Sequence, residues 1–326
     1  MRFLTRFDLE NLLDIPSCIA AVEDAFRQRG QGRSAPSGVL GIHATSGGFH
    51  VKAAILELSR PYFAAKINAN FPLNPSTHSL PTIQGMLVLF DAANGRVLAA
   101  MDSMTITTLR TAAASAVAAR YLSRADAKTA AFIGCGAQAR AHVAAIAAVR
   151  DLELVLVFDI DKKKAEDFAG EMRMLHAFEV SATDDFHRAA AASDIVVTTT
   201  SSTKAFIGAS DISPGAFIAA VGADNEHKQE LEIGLFEGSV VVVDDLDQCA
   251  TIGDLHHALE AGVVTRSDVR ATLGEVVAGV KPGRLSDSEV VIFDSTGVAI
   301  EDVAAAAIAY ERALVAGSGL LIQLND

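Results

Sequence analysis

The sequence predicts an α/β fold in which a Rossmann-type, doubly wound parallel sheet is combined with a discontinuous α+β domain. Three observations support this prediction. Beyond about residue 120, apolar runs of strand length alternate with helix-like stretches, a rhythm typical of parallel strand–helix–strand units. Before that point, short extended runs are separated by turn residues instead. The last strong helical stretch, Ala299–Ala316, follows the final predicted strand and could therefore return to the first domain.

The first part of the chain is predicted to form a mostly antiparallel or mixed sheet. The runs that form its strands are Val51–Leu56, Tyr62–Asn68 and Met86–Phe90. With the returning helix, the first domain is predicted to comprise residues 1–117 and 300–326, and the second domain residues 118–299.

The second part of the chain is predicted to build the parallel sheet. Helix-like stretches such as Ala139–Arg150 and Lys162–Met172 separate several of its apolar runs, so that consecutive strands can lie parallel. The predicted strands are Ala130–Ile133, Leu154–Phe158, Ile195–Thr198, Ala216–Val221, Val240–Val243 and Val290–Phe293.

Composition and charge argue against several classes of protein. The chain of 326 residues is 50% hydrophobic, yet no apolar run reaches the roughly 18 residues of a membrane span. The first residues are charged where a signal peptide would be apolar, so a cytoplasmic location is expected. A net charge of −13, from 27 basic and 40 acidic side chains, disfavours nucleic acid as a partner. The three cysteines are far apart and lack metal-ligand spacing, so we expect neither a disulfide nor a bound metal.

A glycine-rich turn after the first parallel strand predicts a dinucleotide cofactor. The segment GCGAQA (134–139) directly follows Ala130–Ile133 and opens the next helix. Glycines let the backbone approach a pyrophosphate, whose charge the helix N-terminus stabilises. Alanine is accepted at the third glycine position, which serves close packing of helix and strand. The residues predicted here to bind the cofactor are Gly134, Gly136, Ala137 and Gln138.

The acid at the end of the next strand favours NAD over NADP. Asp159 follows Leu154–Phe158, about 20 residues after the second glycine, where the acid that binds the adenosine ribose usually lies. Because a carboxylate repels a 2′-phosphate, NAD(H) is the preferred cofactor, while the lysines at 162–164 leave NADP(H) possible. Asp161 is interpreted as the N-cap of the following helix rather than as a ribose contact.

Polar residues after later strands are further candidates. Thr199 and Thr200 either contact the cofactor or are ordinary strand formers. Val221 and Gly222, at the end of the strand Ala216–Val221, are also predicted to contact the cofactor. Thr296 lies between the last strand and the last helix, where it either helps to close the site over the nicotinamide and substrate or only belongs to the helix cap.

Three charged residues point to a small anionic substrate. Lys66 lies in an apolar strand, where a buried ammonium needs an anionic partner or a functional reason. Arg110, which is expected to begin a helix of small residues, has the planar fork that suits a carboxylate. Each could equally be the ion-pair partner of a structural acid. Asp224, in the turn after the strand Ala216–Val221, is placed either for proton transfer or for an Asx-turn.

Several stretches, in order over most of the chain, resemble the ornithine cyclodeaminase/μ-crystallin family. The segments VVVDDLDQ and TLGEVVAGVKPGR resemble its archaeal-type alanine dehydrogenase branch in particular. The other matching stretches are KINANFPLNPSTHSLPTIQG (66–85), MDSMTITTLRTAAASAVAARYL (101–122), IGCGAQA (133–139), VVTTTSS (196–202), VGADNEHKQELE (221–232) and IFDSTGVAIEDVA (292–304).

The resemblance implies roles for the charged residues and for the domains. Lys66 and Arg110 match the carboxylate-binding lysine and arginine of the family, and Asp224 matches its catalytic acid/base. Lys66 and Asp224 are therefore the predicted catalytic pair. The resemblance also implies that the first domain binds substrate and forms a homodimer through its sheet, and that the second domain binds NAD(P).

One departure from the family pattern leaves the substrate open. Members carry a further basic residue in the N-terminal sheet, where this chain reads APSGVLGIHATSGGFHVKAAIL, with Gly38 near the expected position. Lys52 or His50 is predicted to substitute in binding the substrate; an ordinary half-buried strand with Lys52 facing water is the alternative.

Three functions are compatible with these residues. The leading hypothesis is an NAD(P)H-dependent reductase of a small 2-imino acid, such as Δ1-pyrroline-2-carboxylate or the imine of a 2-oxo acid, which gives an L-amino acid. The second is ornithine cyclodeaminase, a lyase that needs an acid in the N-terminal sheet to hold the distal amine. The third is a cofactor-dependent ligand-binding protein without turnover.

Overall fold

A computed structural model describes residues 1–34 and 37–324 of the chain. The chain divides into two compact units: residues 1–111 together with the segment from Val298 onward, and residues 112–297.

The strands of the described residues, in chain order, are β1 (Arg2–Leu4), β2 (Gly38–Ala44), β3 (Gly47–Glu57), β4 (Pro61–Asn70), β5 (Ile83–Asp91), β6 (Val97–Asp102), β7 (Thr129–Ile133), β8 (Leu154–Phe158), β9 (Glu179–Ala182), β10 (Ile195–Thr198), β11 (Thr203–Ile207), β12 (Phe217–Ala220), β13 (Gln229–Leu231), β14 (Val240–Val243), β15 (Val269–Thr272), β16 (Val291–Asp294) and β17 (Leu320–Leu321).

The α-helices of the same residues are α1 (Arg6–Leu12), α2 (Ile15–Gly30), α3 (Asn74–Thr77), α4 (Ser103–Leu122), α5 (Ala137–Ala147), α6 (Lys162–Leu175), α7 (Phe186–Ala191), α8 (Ile233–Phe236), α9 (Leu246–Ile252), α10 (Asp254–Glu260), α11 (Leu273–Val277) and α12 (Ala299–Ala316).

The first unit contains a seven-stranded sheet in the order β17-β1-β6-β5-β4-β3-β2. All its neighbouring pairs are antiparallel except β1 and β6. The predicted strands at 51–56, 62–68 and 86–90 lie within β3, β4 and β5. Helix α12 packs on β3 and β4, and its alanines are almost all buried because their small side chains allow a close approach. The helix ends at Ala316 and is capped by Gly317, whose φ of +68° is the left-handed conformation favoured by glycine.

The opposite face of this sheet is apolar and exposed. In β4, Tyr62, Ala64 and Lys66 are buried, so that the intervening side chains point to the other face. There the antiparallel register aligns Leu40, Val51, Ile67 and Met86 across four strands. We call these four side chains the apolar row; Leu40, Ile67 and Met86 are 44% to 55% exposed.

The second unit contains an eight-stranded sheet in the order β15-β14-β16-β12-β10-β7-β8-β9. Every neighbouring pair is parallel, as the alternating pattern predicted. The strand order reverses between β7 and β10, and this reversal is the topological switch point at which such sheets bind ligands. Strands β9 and β15 were not predicted, because EVSA (179–182) and VRAT (269–272) lack a continuous apolar run.

The boundary between the two units differs from the predicted domain boundary, because it lies within the continuous helix α4. Helix α4 runs without interruption from Ser103 to Leu122, and the first unit ends within it at Thr111 rather than at residue 117. Arg110 lies inside this helix instead of beginning it. The helix starts earlier because Asp102 accepts the backbone N–H of Thr105 at 2.9 Å and so caps it. The second boundary lies at Gly297 rather than at residue 299.

Within the described residues, no helix combines the length and the apolar character needed to cross a membrane. Cys18, Cys135 and Cys249 are buried and free. The same residues contain no cluster of three histidine, cysteine, aspartate or glutamate side chains that could hold a metal ion.

Candidate functional site

The glycine turn of the second unit has the geometry of a pyrophosphate-binding loop. Gly134 follows β7 with a φ of +96°, which glycine adopts without strain. A Cβ atom at this position would lie only 3.0 Å from the carbonyl oxygen of Thr199. Gly136 is the N-cap of α5, and no side chain caps the helix. The backbone N–H groups of the first turn of α5, which begins at Ala137 and Gln138, are therefore suited to an anion.

Asp159 holds the glycine turn in place. Its Oδ2 accepts the backbone N–H of Cys135 at 2.9 Å and the ammonium of Lys164 at 2.6 Å, and its Oδ1 accepts the N–H of Asp161 at 3.1 Å. Burial raises the pKa of Asp159, but Lys164 and the two N–H groups outweigh this effect and leave the pKa lowered. The acid predicted to bind the ribose thus has a structural role in this loop. Asp161 is the N-cap of α6, as predicted.

The other predicted cofactor residues lie at the carboxyl ends of β10 and β12. Thr199 donates its hydroxyl to the carbonyl oxygen of Gly134 at 3.1 Å. Val221 donates its N–H to the carbonyl oxygen of Thr198 at 3.1 Å. The structure therefore brings together the glycine turn and the ends of the next two strands, which were predicted from separate segments.

The backbone N–H groups of Thr200 and Gly222 both point to a residue that the sequence analysis missed. Glu230, in β13, accepts them at 2.6 and 2.8 Å. It lies in the stretch VGADNEHKQELE, which was singled out for Asp224. The sequence alone does not indicate that Glu230 is completely buried while Glu232, two residues later, is exposed.

Thr296 belongs to a loop that a buried carboxylate holds. Its N–H donates to Asp244 Oδ2 at 2.8 Å, and its hydroxyl accepts the side-chain N–H of Gln248 at 2.7 Å. Gly297 donates its N–H to the same Oδ2 at 2.6 Å. Thr296 is 5% exposed, and its hydroxyl already takes part in a network of protein groups.

Asp224 is an accessible carboxylate beside a lysine. Its side chain is 44% exposed, and its Oδ1 lies 2.8 Å from the ammonium of Lys228, four residues further along the chain. The alternative role considered for Asp224, an Asx-turn, is found at the next residue instead. Asn225 Oδ1 accepts the N–H of His227 at 3.0 Å.

The first unit contains a buried cluster of opposite charges. Lys66 donates to Asp302 Oδ1 at 2.8 Å, and Arg110 donates to Glu301 Oε2 at 2.7 Å while its Nε lies 3.0 Å from Asp302 Oδ1. Each of these side chains is at most 6% exposed. Lys52 lies opposite Lys66 in the register of β3 and β4, so the two lysines share one face of the sheet.

Lys66 is the least satisfied member of this cluster. An ammonium has three donors, but within the described residues Lys66 makes one hydrogen bond, to Asp302. Burial, followed by the charges of Arg110 and Lys52, lowers the pKa of Lys66 to about 7 although Asp302 opposes the change. Burial raises the pKa of Asp302, but the charges of Lys66 and Arg110 outweigh it and leave this pKa lowered.

The sequence analysis left open whether Lys66 and Arg110 pair with structural acids, and here both do. The acids, Glu301 and Asp302, were not identified from the sequence. Two charged residues at the start of a helix rich in alanine were the available signal. His50, a predicted substrate residue, is exposed and lies opposite Asn68 in the sheet.

Comparison with known proteins identifies a family that the sequence matches. The sequence matches the ornithine cyclodeaminase/mu-crystallin family over residues 1–317. An archaeal alanine dehydrogenase dimer with bound NAD is 36% identical, with a TM-score of 0.95 over 100% of this chain and 99% of that chain.

Two reductases of known structure are also similar. The Δ1-pyrroline-2-carboxylate reductase of Thermococcus litoralis, in complex with NADH and L-proline, is 34% identical, with a TM-score of 0.93 over 99% of this chain and 100% of that chain. The iminosuccinate reductase of Paracoccus denitrificans, in complex with NAD+, is 30% identical, with a TM-score of 0.86 over 97% of each chain. The match over nearly the whole sequence, with full-length relatives of the same fold, shows that the chain belongs to the ornithine cyclodeaminase/mu-crystallin family.

Proposed function

We propose that this protein is an NAD(H)-dependent oxidoreductase that reduces a small 2-imino acid to an L-amino acid. The observation that carries the proposal is Lys66, a buried ammonium that makes a single hydrogen bond within the described residues. A substrate carboxylate would supply acceptors for the two remaining N–H donors of this ammonium. The alanine dehydrogenase and reductase relatives, which act on compounds of this size, support the assignment.

Each functional residue has a distinct role in the proposed reaction. Lys66 and Arg110 bind the substrate carboxylate, while Glu301 and Asp302 orient the two cations. Lys52 and His50 are assigned to the remainder of the substrate. Asp224 transfers the proton to or from the substrate nitrogen, and its exposure allows exchange of this proton with water. NADH, when bound at the uncapped N-terminus of α5, would supply the hydride for C2 of the imine.

The N-terminal sheet favours a reductase over a cyclodeaminase. Residues 38–56, which include β2 and most of β3, contain no aspartate or glutamate that could bind the distal amine of ornithine. Glu57, the last residue of β3, is exposed and, five residues after Lys52, lies on the other face of the sheet. The deciding experiment follows NADH absorbance with Δ1-pyrroline-2-carboxylate, Δ1-piperideine-2-carboxylate, and pyruvate or oxaloacetate with ammonia. Cofactor oxidation by one of them would support the proposal. Ammonia release from ornithine without net cofactor change would replace it by the lyase.

The cofactor preference is assigned to Asp159, and its replacement tests this assignment. In Asp159→Ser, Lys164 loses its carboxylate partner and becomes available to a 2′-phosphate, so we expect NADPH to gain and NADH to lose affinity by about tenfold each, or ~1.4 kcal/mol. Fluorescence titration with both cofactors measures the change. The double variant Asp159→Ser/Lys164→Met should not show the increased affinity for NADPH. An unchanged ratio of the NADH and NADPH dissociation constants in Asp159→Ser would contradict the assignment.

The first unit, with residues 1–117 and 300–326 as the predicted domain, is proposed to bind substrate and to form a homodimer through the apolar row. A row of apolar side chains in register across four strands, three of them exposed, is typical of an interface, and the archaeal alanine dehydrogenase relative is a dimer. A cytoplasmic location stays a prediction of the sequence.

A charge in the apolar row is expected to separate the dimer. Ile67→Lys would place an ammonium in the interface, where its desolvation is unfavourable, so light scattering should give the monomer mass. Leu285→Lys, at an apolar residue of the second unit that is 67% exposed, is the matched control and should leave the dimer intact. Wild-type protein that is monomeric at micromolar concentration would refute the proposed homodimer.

A further inference from the structure

Glu230 joins two loops at the carboxyl edge of the parallel sheet. Its carboxylate accepts the Thr198 hydroxyl at 2.6 Å, the Thr200 N–H at 2.6 Å and the Gly222 N–H at 2.8 Å. Thr198 is the last residue of β10 and Thr200 follows it, whereas Gly222 follows β12, the neighbour of β10 in the sheet. One side chain therefore fixes the ends of two adjacent strands.

The hydrogen-bond pattern requires a carboxylate rather than an amide. Each oxygen of Glu230 faces a backbone N–H, which can only donate. A glutamine would have to turn its own NH2 group toward one of these donors. Gly222 is part of the same arrangement, because a Cβ atom there would overlap the Glu230 carboxylate.

Two further buried carboxylates fix the backbone around Glu230: Asp254 binds it directly, and Asp294 binds the backbone at Asp254. Asp254 Oδ1 accepts the backbone N–H groups of Glu230 and Leu231 at 2.7 and 2.9 Å. Asp294 accepts the N–H groups of Asp254 and Leu255 at 3.2 and 2.9 Å. Glu230 is fully buried and makes no salt bridge within the described part of the chain, and burial raises its pKa. An acid kept in so unfavourable an environment indicates a requirement for its position.

The strand order shows which part of a cofactor these loops would contact. The glycine turn follows β7, and Asp159 follows β8 on one side of it, where the adenosine half belongs. Strands β10 and β12 lie on the other side, toward which the nicotinamide half must extend. Thr199 connects the two regions through its hydrogen bond to Gly134.

We infer that Glu230 is a positioning residue that fixes the loops after β10 and β12 for the nicotinamide half of the cofactor. The inference rests on the NAD(H) dependence of the proposed function. It predicts that loss of Glu230 weakens contacts to the nicotinamide while contacts to ADP-ribose, which lacks that ring, persist.

Binding of NADH and of ADP-ribose separates this role from a general structural one. We expect Glu230→Gln to weaken NADH binding about tenfold, the loss that corresponds to one or two buried hydrogen bonds, and to change ADP-ribose binding by less than about threefold. The fluorescence emission of bound NADH should shift toward that of free NADH. Thr198→Val removes one of the three hydrogen bonds with little change of shape and should give a smaller effect of the same kind. Glu232→Gln, an exposed acid two residues away, is the matched control and should resemble wild type.

The outcomes distinguish this inference from the proposed function. Equal loss of NADH and ADP-ribose affinity in Glu230→Gln, or no loss of either, would overturn the inference. If Glu230→Gln does not fold, Thr198→Val provides the test. A loss of affinity for NADH but not for ADP-ribose would support the inference, and an equal loss of both, or no loss, would overturn it. If Glu230→Gln weakens the binding of NADH but not of ADP-ribose, and the wild-type protein reduces none of the imines, the role of Glu230 would be supported and the proposed reaction would not. A wild-type protein that does not bind NADH would overturn both.

Discussion

Replacement of Lys66 by methionine is expected to lower kcat/KM for the imino acid by about 10²–10³-fold, because truncating one partner of a buried charged contact loses ~2–5 kcal/mol. Methionine keeps most of the side-chain volume in the buried strand and removes only the ammonium. The affinity for NADH should stay within about twofold, since the glycine turn is in the other unit. Steady-state kinetics with saturating NADH, combined with a fluorescence titration of NADH, measures both quantities.

The variant Lys52→Met shows whether the effect of Lys66→Met is specific to Lys66 or follows from the loss of any positive charge on this face of the sheet. Lys52→Met removes a cation from the same face of the sheet, but Lys52 is only partly buried, so its effect should be smaller. The melting temperature shows whether either variant has lost stability. In Lys66→Met, Arg110 remains 3.0 Å from Asp302 and continues to balance that carboxylate. A variant with normal KM and kcat would show that Lys66 only pairs with Asp302.

The same lysine predicts how activity varies with pH. Because burial and the neighbouring cations lower the pKa of Lys66 to about 7, the free protein loses this ammonium as the pH rises above neutrality. Only the protonated form attracts a carboxylate, so kcat/KM should fall by up to about tenfold per pH unit above that pKa. Lys66→Arg keeps its charge at any accessible pH and should flatten this decline. A kcat/KM that rises with pH between 7 and 9 would contradict the assignment.

The parts of the fold that could be predicted are those that depend on neighbouring residues. The strand at 129–133, its glycine turn and the following helix are encoded within about twenty residues, and the periodicity and turn chemistry were sufficient to identify them. The N-cap at Asp161 is equally local. The unit boundary was less accessible, because α4 contains no glycine or proline at the point where the chain passes from one unit to the other.

The partners of the site residues depend on folding over long sequence separations. Lys66 and Asp302 are 236 residues apart, and Arg110 and Glu301 are 191 residues apart. A basic residue in an apolar strand indicates that an acid is needed but not which of the 40 acids supplies it. Glu230 and Glu232 illustrate the same limit, since they differ in burial although both lie in the segment QELE. Local pattern therefore identified the candidate chemical groups, whereas tertiary packing determined their partners.

Replacement of Asp224 by asparagine is expected to lower kcat by about 10²–10⁴-fold, the usual contribution of general acid–base catalysis. The change is nearly isosteric, and Asp224 is 44% exposed, so KM and NADH affinity should change little. Single-turnover oxidation of NADH at saturating imine isolates the chemical step. Lys228→Gln is the matched control: it removes the ammonium 2.8 Å from Asp224 but leaves the carboxylate, so it should retain most of the activity.

The pair of variants distinguishes proton transfer from a purely electrostatic role of Asp224. If Asp224 acts only by its charge, the loss of Lys228 would leave that charge uncompensated and should change kcat in the direction opposite to Asp224→Asn. If Asp224 transfers the proton, Asp224→Asn alone removes the transfer, and its solvent isotope effect should differ from that of wild type. An Asp224→Asn variant with normal kcat would remove this residue from the mechanism. The proton would then have to reach the substrate nitrogen by another route, and the assignment of Lys66 and Arg110 to the carboxylate would be unaffected.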